Sequence, residues 1–212
     1  MAAMNGCCDD KACAVDALGE SQASTLKTVL AINAVMFVVE LGAGLFAGST
    51  ALLSDSLDNL GDALTYGLSI YAISKGARSK ARVAVFKGVL ILAAALFVLL
   101  QVGYRSVYGA TPLFEAMGLV SLLALIANSA CLALLWRHRA ADVNMSSVWE
   151  CSRNDIAGNV AVFVAAGAVW LTGTRWPDLL VGLLLSAWLL RSSARVLRSG
   201  VTELRLAAAP RS

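Results

Sequence analysis

Three aspartates stand at helical spacing inside an apolar stretch of the chain. Asp55, Asp58 and Asp62 occupy positions i, i+3 and i+7 within residues 49–69, so a helix carries all three on one face. An aspartate at the centre of a membrane helix costs ~3 kcal/mol, and three facing lipid cost roughly 8 to 10 kcal/mol. We therefore expect this face to look into a helix bundle or a wet cavity and to meet a cation, since the segment contains no basic residue.

A second pair of candidate ligands lies in a later apolar segment. Cys151 and Asp155 are four residues apart, so a helix presents the thiol and the carboxylate on one face. If the two segments are antiparallel neighbours, Asp58 comes level with Asp155 and Asp62 with Cys151. Three carboxylates and a thiolate then fit a tetrahedral site for a divalent metal. Cysteines in helical bundles are usually small packed hydrophobes, so the ligand role of Cys151 depends on its spacing to Asp155.

Composition predicts the elements that must position these residues. The chain is 58% hydrophobic and 15% charged, whereas a soluble domain carries about a quarter charged residues. Its apolar runs are continuous rather than alternating, which excludes a β-barrel, and 212 residues allow about six spans of ~20 residues. We therefore predict an all-α integral membrane protein with six transmembrane helices. The expected spans are residues 26–47, 51–73, 84–104, 113–136, 147–172 and 177–198.

Basic residues predict the orientation. They concentrate in the connections after spans two and four and after span six, and by the positive-inside rule both termini are cytoplasmic. The residues concerned are Lys75, Arg78, Lys80, Arg82, Lys87, Arg137, His138, Arg139, Arg191, Arg195, Arg198 and Arg205. The predicted organisation is a disordered cytoplasmic tail over 1–24, a transport domain over 25–200 and a short cytoplasmic tail over 201–212. The first apolar run follows a polar tail rather than a signal-peptide pattern, so we expect this span to be retained.

The N-terminal tail contains three closely spaced cysteines, Cys7, Cys8 and Cys13. An odd total of five cysteines and a cytoplasmic tail favour reduced thiols over a disulfide framework. These thiols could capture a soft metal near the cytosolic mouth of the bundle. The alternative is an unstructured arm in which the cysteines are incidental.

The sequence resembles the transmembrane domain of the cation diffusion facilitator family, whose members are divalent-metal/proton antiporters. The resemblance lies in the span-two sequence STALLSDSLDNLGD, in the Cys151-x3-Asp155 pair, and in Asn33 and Glu40 on one face of span one. It covers about residues 26–200. Such a protein has protons as counter-substrate and no permanently bound cofactor.

By this resemblance the transported metal binds Asp58, Asp62, Cys151 and Asp155. Asn33, Glu40 and Asp55 would orient these ligands or line the pathway, although Asp55 could instead cap a helix or bond a neighbouring one. The family usually has His or Asp at the position of Cys151, and a thiolate favours softer metals such as Zn, Cd, Hg, Pb or Cu(I).

The family usually carries a cytoplasmic domain after span six. The sequence ends at Ser212, about a dozen residues past that span, so we expect the resemblance to concern the transmembrane domain only. A homodimer would then form through the membrane part.

The sequence therefore predicts a proton-driven exporter of zinc- or cadmium-like cations in a bacterial inner membrane. This is a secondary active transporter rather than an enzyme, with lipid and metal ions as partners and no nucleic acid. One rival is a non-transporting metal-binding sensor or accessory protein. A second rival, an exporter of organic cations, fits the Asp/Cys site and the cysteine tail less well.

Overall fold

The computed structural model describes residues 20–72, 77–136 and 143–208, and all the regular structure in these ranges is helical. Six helices follow one another: α1 (Glu20–Ala47), α2 (Thr50–Ala72), α3 (Ala77–Tyr108), α4 (Phe114–Trp136), α5 (Val143–Thr172) and α6 (Trp176–Ala208). The predicted all-α architecture of six helices is confirmed. Several helices are longer than the spans, and α6 continues to Ala208.

Glycines end two of the helices, α1 and α5. Gly48 and Gly173 have φ angles of 69° and 61°, the left-handed conformation that commonly closes a helix C-terminus. After Gly48 a single residue, Ser49, separates α1 from α2, and its hydroxyl accepts the backbone N–H of Leu52 at 3.0 Å. Ser49 is therefore the N-cap of α2.

Helix α2 lies at the centre of the bundle. It packs against α1, α3, α5 and α6, while α3 pairs with α6 and α4 pairs with α5. One apolar cluster joins α2 to α3 and α6, through Leu53, Leu57, Ile91, Ala95, Val98 and Leu189. A second cluster joins the start of α2 to α1, α4 and α5, through Ala47, Ala51, Leu52, Met117, Val162, Ala165, Ala166 and Val169.

The outer surface of the bundle is apolar. Large side chains on several helices are exposed, such as Phe46 at 78% and Leu171 at 75%, which suits contact with lipid chains rather than water. Within the described residues, five helices contain a stretch long and apolar enough to cross a membrane. Helix α2 does not, because its aspartates lower its hydropathy, but its central position shields those groups from lipid.

One basic residue lies elsewhere than the sequence predicted. Lys87 was assigned to the basic connection after span two, but it is a buried residue within α3. Its Nζ donates to the hydroxyl of Thr65 on α2 at 2.7 Å. The ammonium group of Lys87 therefore points toward α2, the central helix.

Candidate metal centre

The start of α2 is held by a carboxylate from α6. Asp178 Oδ2 accepts the backbone N–H of Thr50 at 2.8 Å and its hydroxyl at 2.9 Å. Asp178 Oδ1 accepts the hydroxyl of Ser49 at 2.5 Å and the backbone N–H of Ala51 at 3.1 Å. A charged acceptor at these amides satisfies groups that a helix N-terminus leaves without partners. Asp178 stands in the first turn of its own helix, α6, and its contacts also fix the depth of α2.

The next turns of α2 lie very close to α6. Ser54 Oγ donates to the backbone oxygen of Gly182 and hydrogen-bonds Ser186 Oγ, both at 2.9 Å. A Cβ at Gly182 would lie 2.6 Å from Thr50 Oγ1, so only glycine permits this approach. These contacts set the rotation of α2 and turn its acidic face away from α6.

The aspartates of α2 are buried as the sequence predicted. Asp55 and Asp62 are each 4% exposed and Asp58 is half-buried. Asp55 does not cap a helix in the described structure, because Ser49 and Asp178 supply the cap of α2. The acidic face therefore lies inside the bundle.

Helices α2 and α5 approach each other at Asp55. A Cβ on Gly158 of α5 would lie 3.2 Å from Asp55 Oδ1, so this glycine leaves room for the carboxylate. In an antiparallel pair, moving three residues forward on one helix corresponds to three residues back on the other. From this contact we infer that Asp58 lies level with Asp155 along the helix axes, and that the backbone of Cys151 lies level with Asp62.

The structure describes the side chains of Asp58, Asp62 and Asp155 but not that of Cys151. Asp155 is half-buried, whereas the structure describes the helical backbone of Cys151 but not its side chain. The tail residues Cys7, Cys8 and Cys13 lie outside the described residues. Among the described side chains, no three His, Cys, Asp or Glu residues stand close enough together to hold a metal ion.

Two buried side chains of α1, those of Glu40 and Asn33, form hydrogen bonds within the bundle. Glu40 is fully buried, and its Oε2 accepts Asn59 Nδ2 at 2.9 Å rather than contacting an α2 aspartate through a hydrogen bond. Asn33 is buried and donates to the backbone oxygen of Val29 in its own helix at 2.9 Å. The hydrogen bond between Glu40 and Asn59 thus holds α1 against α2 next to Asp58, whereas Asn33 donates to the backbone of α1.

Two asparagines near the candidate ligands were not singled out from the sequence. Asn59 follows Asp58, and the fully buried Asn159 lies one turn after Asp155, with its Nδ2 donating to the Asp155 backbone oxygen at 2.9 Å. The signal for Asn159 was available, because it extends the four-residue spacing of Cys151 and Asp155. The role of Asn59 depends on the packing of α1.

Comparison with known proteins agrees with this architecture. The chain is 28% identical over 200 residues to the metal cation efflux system protein CzcD of Cupriavidus metallidurans. The aligned region covers 84% of this chain and 63% of that protein. It is 25% identical over 198 residues to the zinc transporter ZitB of Yersinia pestis, and this aligned region covers 87% of the chain and 64% of that protein. The chain thus spans less than two thirds of the length of these relatives. The family description "Cation efflux transmembrane domain" matches residues 26–205, and the chain is therefore an integral membrane protein of the cation efflux family.

Proposed function

We propose that this protein exports a soft divalent cation, of the zinc or cadmium type, across the bacterial plasma membrane in exchange for protons. The observation that carries the proposal is the buried acidic face of α2, which approaches α5 where Asp55 lies against Gly158. From this approach we infer that Asp58 lies level with Asp155. The relatives named as a metal cation efflux protein and a zinc transporter support the same class of cargo.

The proposed ligands are Asp58, Asp62, Cys151 and Asp155. Two carboxylates on α2 and a thiolate and a carboxylate on α5 supply the charge that a divalent cation needs inside a low-dielectric bundle. The thiolate shifts the preference toward Zn and Cd and away from Mn, Mg or Ca. Because the thiol must lose its proton to bind, metal binding releases protons at the site.

Transport requires the site to open to each face in turn. Helices α3 and α6 pack tightly against each other, because a Cβ at Gly88 would lie 2.8 Å from Leu197 and a Cβ at Gly200 would lie 2.9 Å from Val85. We infer that this pair moves as a unit, and that the site closes as α2 and α5 tilt together. The cycle exchanges metal from the cytosol for protons from outside.

The test is metal-driven proton movement in proteoliposomes containing the purified chain. Asp62→Asn should abolish both saturable Cd²⁺ binding and Cd²⁺-driven acidification or alkalinisation of the lumen. Glu115→Gln is the matched control, because it removes an exposed carboxylate in the first turn of α4. Unchanged exchange in Asp62→Asn would rule out this site.

The same vesicles separate a transporter from a non-transporting metal-binding protein. A sensor or accessory protein would show saturable Cd²⁺ binding in the native chain without any movement of metal across the bilayer. Such a result would retain the site and refute the export function.

A further inference from the structure

A buried ammonium group lies against the central helix α2. Lys87 of α3 is 5% exposed, and its Nζ donates to Thr65 Oγ1 at 2.7 Å. Thr65 is also buried, and its hydroxyl donates to the backbone oxygen of Gly61 at 2.6 Å. An ammonium has three N–H donors and a full positive charge, so one hydroxyl group does not balance it.

Thr65 continues the stripe of proposed ligands on α2. Asp58, Asp62 and Thr65 stand at i, i+4 and i+7, so their side chains share one face of the helix. Thr65 lies three residues, or about 4.5 Å along the helix axis, beyond Asp62. Asp62 is 4% exposed and is the carboxylate of α2 nearest to Thr65 along the chain. The ammonium of Lys87 therefore lies at the end of the acidic face, next to Asp62.

Close packing on both sides of Lys87 fixes α3 in this position. A Cβ at Gly88, the next residue, would lie 2.8 Å from Leu197 of α6. A Cβ at Gly61 of α2 would lie 3.5 Å from Ile91, one turn after Lys87. Helix α3 is thus held against both neighbours at the level of Lys87, which keeps the ammonium beside α2.

The ammonium and a bound metal require the same negative charges. Ionisable groups inside membrane bundles usually pair with one another, and the acidic face of α2 supplies the carboxylates on this side of Lys87. A metal held by Asp58 and Asp62 would use those same carboxylates. Two cations that share them repel each other, and the repulsion is stronger in a low-dielectric bundle than in water.

We propose that Lys87 is a built-in counter-charge that lowers the metal affinity of the site and so promotes release of the cation. This inference rests on the proposed export function and names a residue that tunes the same site. In the empty site the ammonium offsets part of the charge of Asp58 and Asp62. In the loaded site it repels the metal. In the orientation predicted from the basic residues, Thr65 lies on the cytosolic side of Asp62, so this repulsion pushes the cation toward the outer face.

The alternative is a purely structural contact, in which the Lys87–Thr65 hydrogen bond only holds α3 against α2. The two roles predict opposite changes in affinity. Removing a structural contact loosens the helix that carries two of the proposed ligands, so metal binding weakens. Removing a repelling charge strengthens metal binding.

The experiment measures Cd²⁺ affinity by equilibrium dialysis of the purified full chain, with the three tail cysteines replaced by serine. Lys87→Met removes the charge from a side chain of similar length, and the Thr65 hydroxyl keeps its bond to Gly61. This variant should bind Cd²⁺ ~10-fold or more tightly, whereas Lys87→Arg keeps the charge and should stay within ~3-fold of native affinity. Arg82→Met is the matched control, because Arg82 is an exposed basic residue of the same helix and its charge is screened by water.

Transport kinetics in proteoliposomes give a second readout. Lys87→Met should lower both the half-saturating Cd²⁺ concentration and the maximal rate of Cd²⁺-driven proton movement, because a cation that is held more tightly leaves more slowly. A loosened bundle would instead raise the half-saturating concentration.

An affinity of Lys87→Met equal to or below the native value would overturn the proposal. Equal tightening in Lys87→Arg or Arg82→Met would also overturn it, since the charge at this position would then not be the cause. If Lys87→Met does not fold, Lys87→Gln carries the same prediction, because its amide can donate to Thr65. A native chain without saturable Cd²⁺ binding or Cd²⁺-driven proton movement would refute the export function, whereas native export with unchanged affinity in the variants would refute this inference alone.

Discussion

The carboxylate of Asp178 on α6 caps α2 at Thr50, accepting its backbone N–H at 2.8 Å and its hydroxyl at 2.9 Å. The two residues are far apart in the chain, and their contact sets where the acidic helix begins. Every candidate ligand on α2 takes its depth from this point.

Asp178→Asn should destabilise the bundle by ~1–3 kcal/mol, because an amide replaces the charged acceptor of buried donors. The midpoint of unfolding in detergent, followed by circular dichroism, measures the change. Glu115→Gln is the control, since Glu115 also stands in the first turn of a helix but is exposed. This change should alter the free energy of unfolding by less than ~0.5 kcal/mol. Equal effects of the two changes would contradict the capping role.

Gly182→Ala should destabilise the protein by ~1–3 kcal/mol through overpacking. Its added Cβ would lie 2.6 Å from Thr50 Oγ1 and 2.9 Å from the Thr50 carbonyl carbon, which is backbone and cannot move aside. Gly167→Ala is the matched control, because a Cβ there meets nothing within 4 Å and alanine favours the helix. The same unfolding assay should show opposite signs for the two substitutions.

Arg175→Lys should loosen the contact between the start of α6 and the end of α3. Arg175 Nη2 donates to the Ser106 backbone oxygen at 2.9 Å and Nη1 donates to the Gly109 oxygen, so one guanidinium closes the end of α3. Lysine keeps the charge but loses the fork of donors. We expect faster hydrogen exchange at the α3 C-terminus in Arg175→Lys, and exchange equal to native would refute the contact's role.

Cys151→His should change which metal the protein prefers. Imidazole is a harder ligand than thiolate, so the ratio of Cd²⁺ to Zn²⁺ affinity should fall by roughly 10-fold. A competition panel of Zn, Cd, Hg, Pb and Co against the native chain measures this ratio. An unchanged ratio of Cd²⁺ to Zn²⁺ affinity would remove Cys151 from the proposed ligand set.

Replacing Cys7, Cys8 and Cys13 with serine should weaken metal uptake without abolishing it. If these thiols capture metal near the cytosolic mouth, their loss raises the half-saturating metal concentration and leaves the maximal rate unchanged. Initial uptake rates over a range of Cd²⁺ concentrations measure both quantities. Kinetics identical to the native chain would favour incidental cysteines.

The sequence alone determined the six helices and the acidic face of α2. These features are local. In lipid a backbone must satisfy its own hydrogen bonds, so each apolar run becomes a helix, and the helix period then places Asp55, Asp58 and Asp62 on one face.

The tertiary structure decided which groups those faces meet. The cap from Asp178, the Glu40–Asn59 contact and the burial of Lys87 all join residues from different helices. Each depends on the rotation and depth of one helix against another, which are set by close contacts such as Gly182 against Thr50 and Gly158 against Asp55. Periodicity within one segment contains no information on these two quantities, because they follow from side-chain packing between distant parts of the chain.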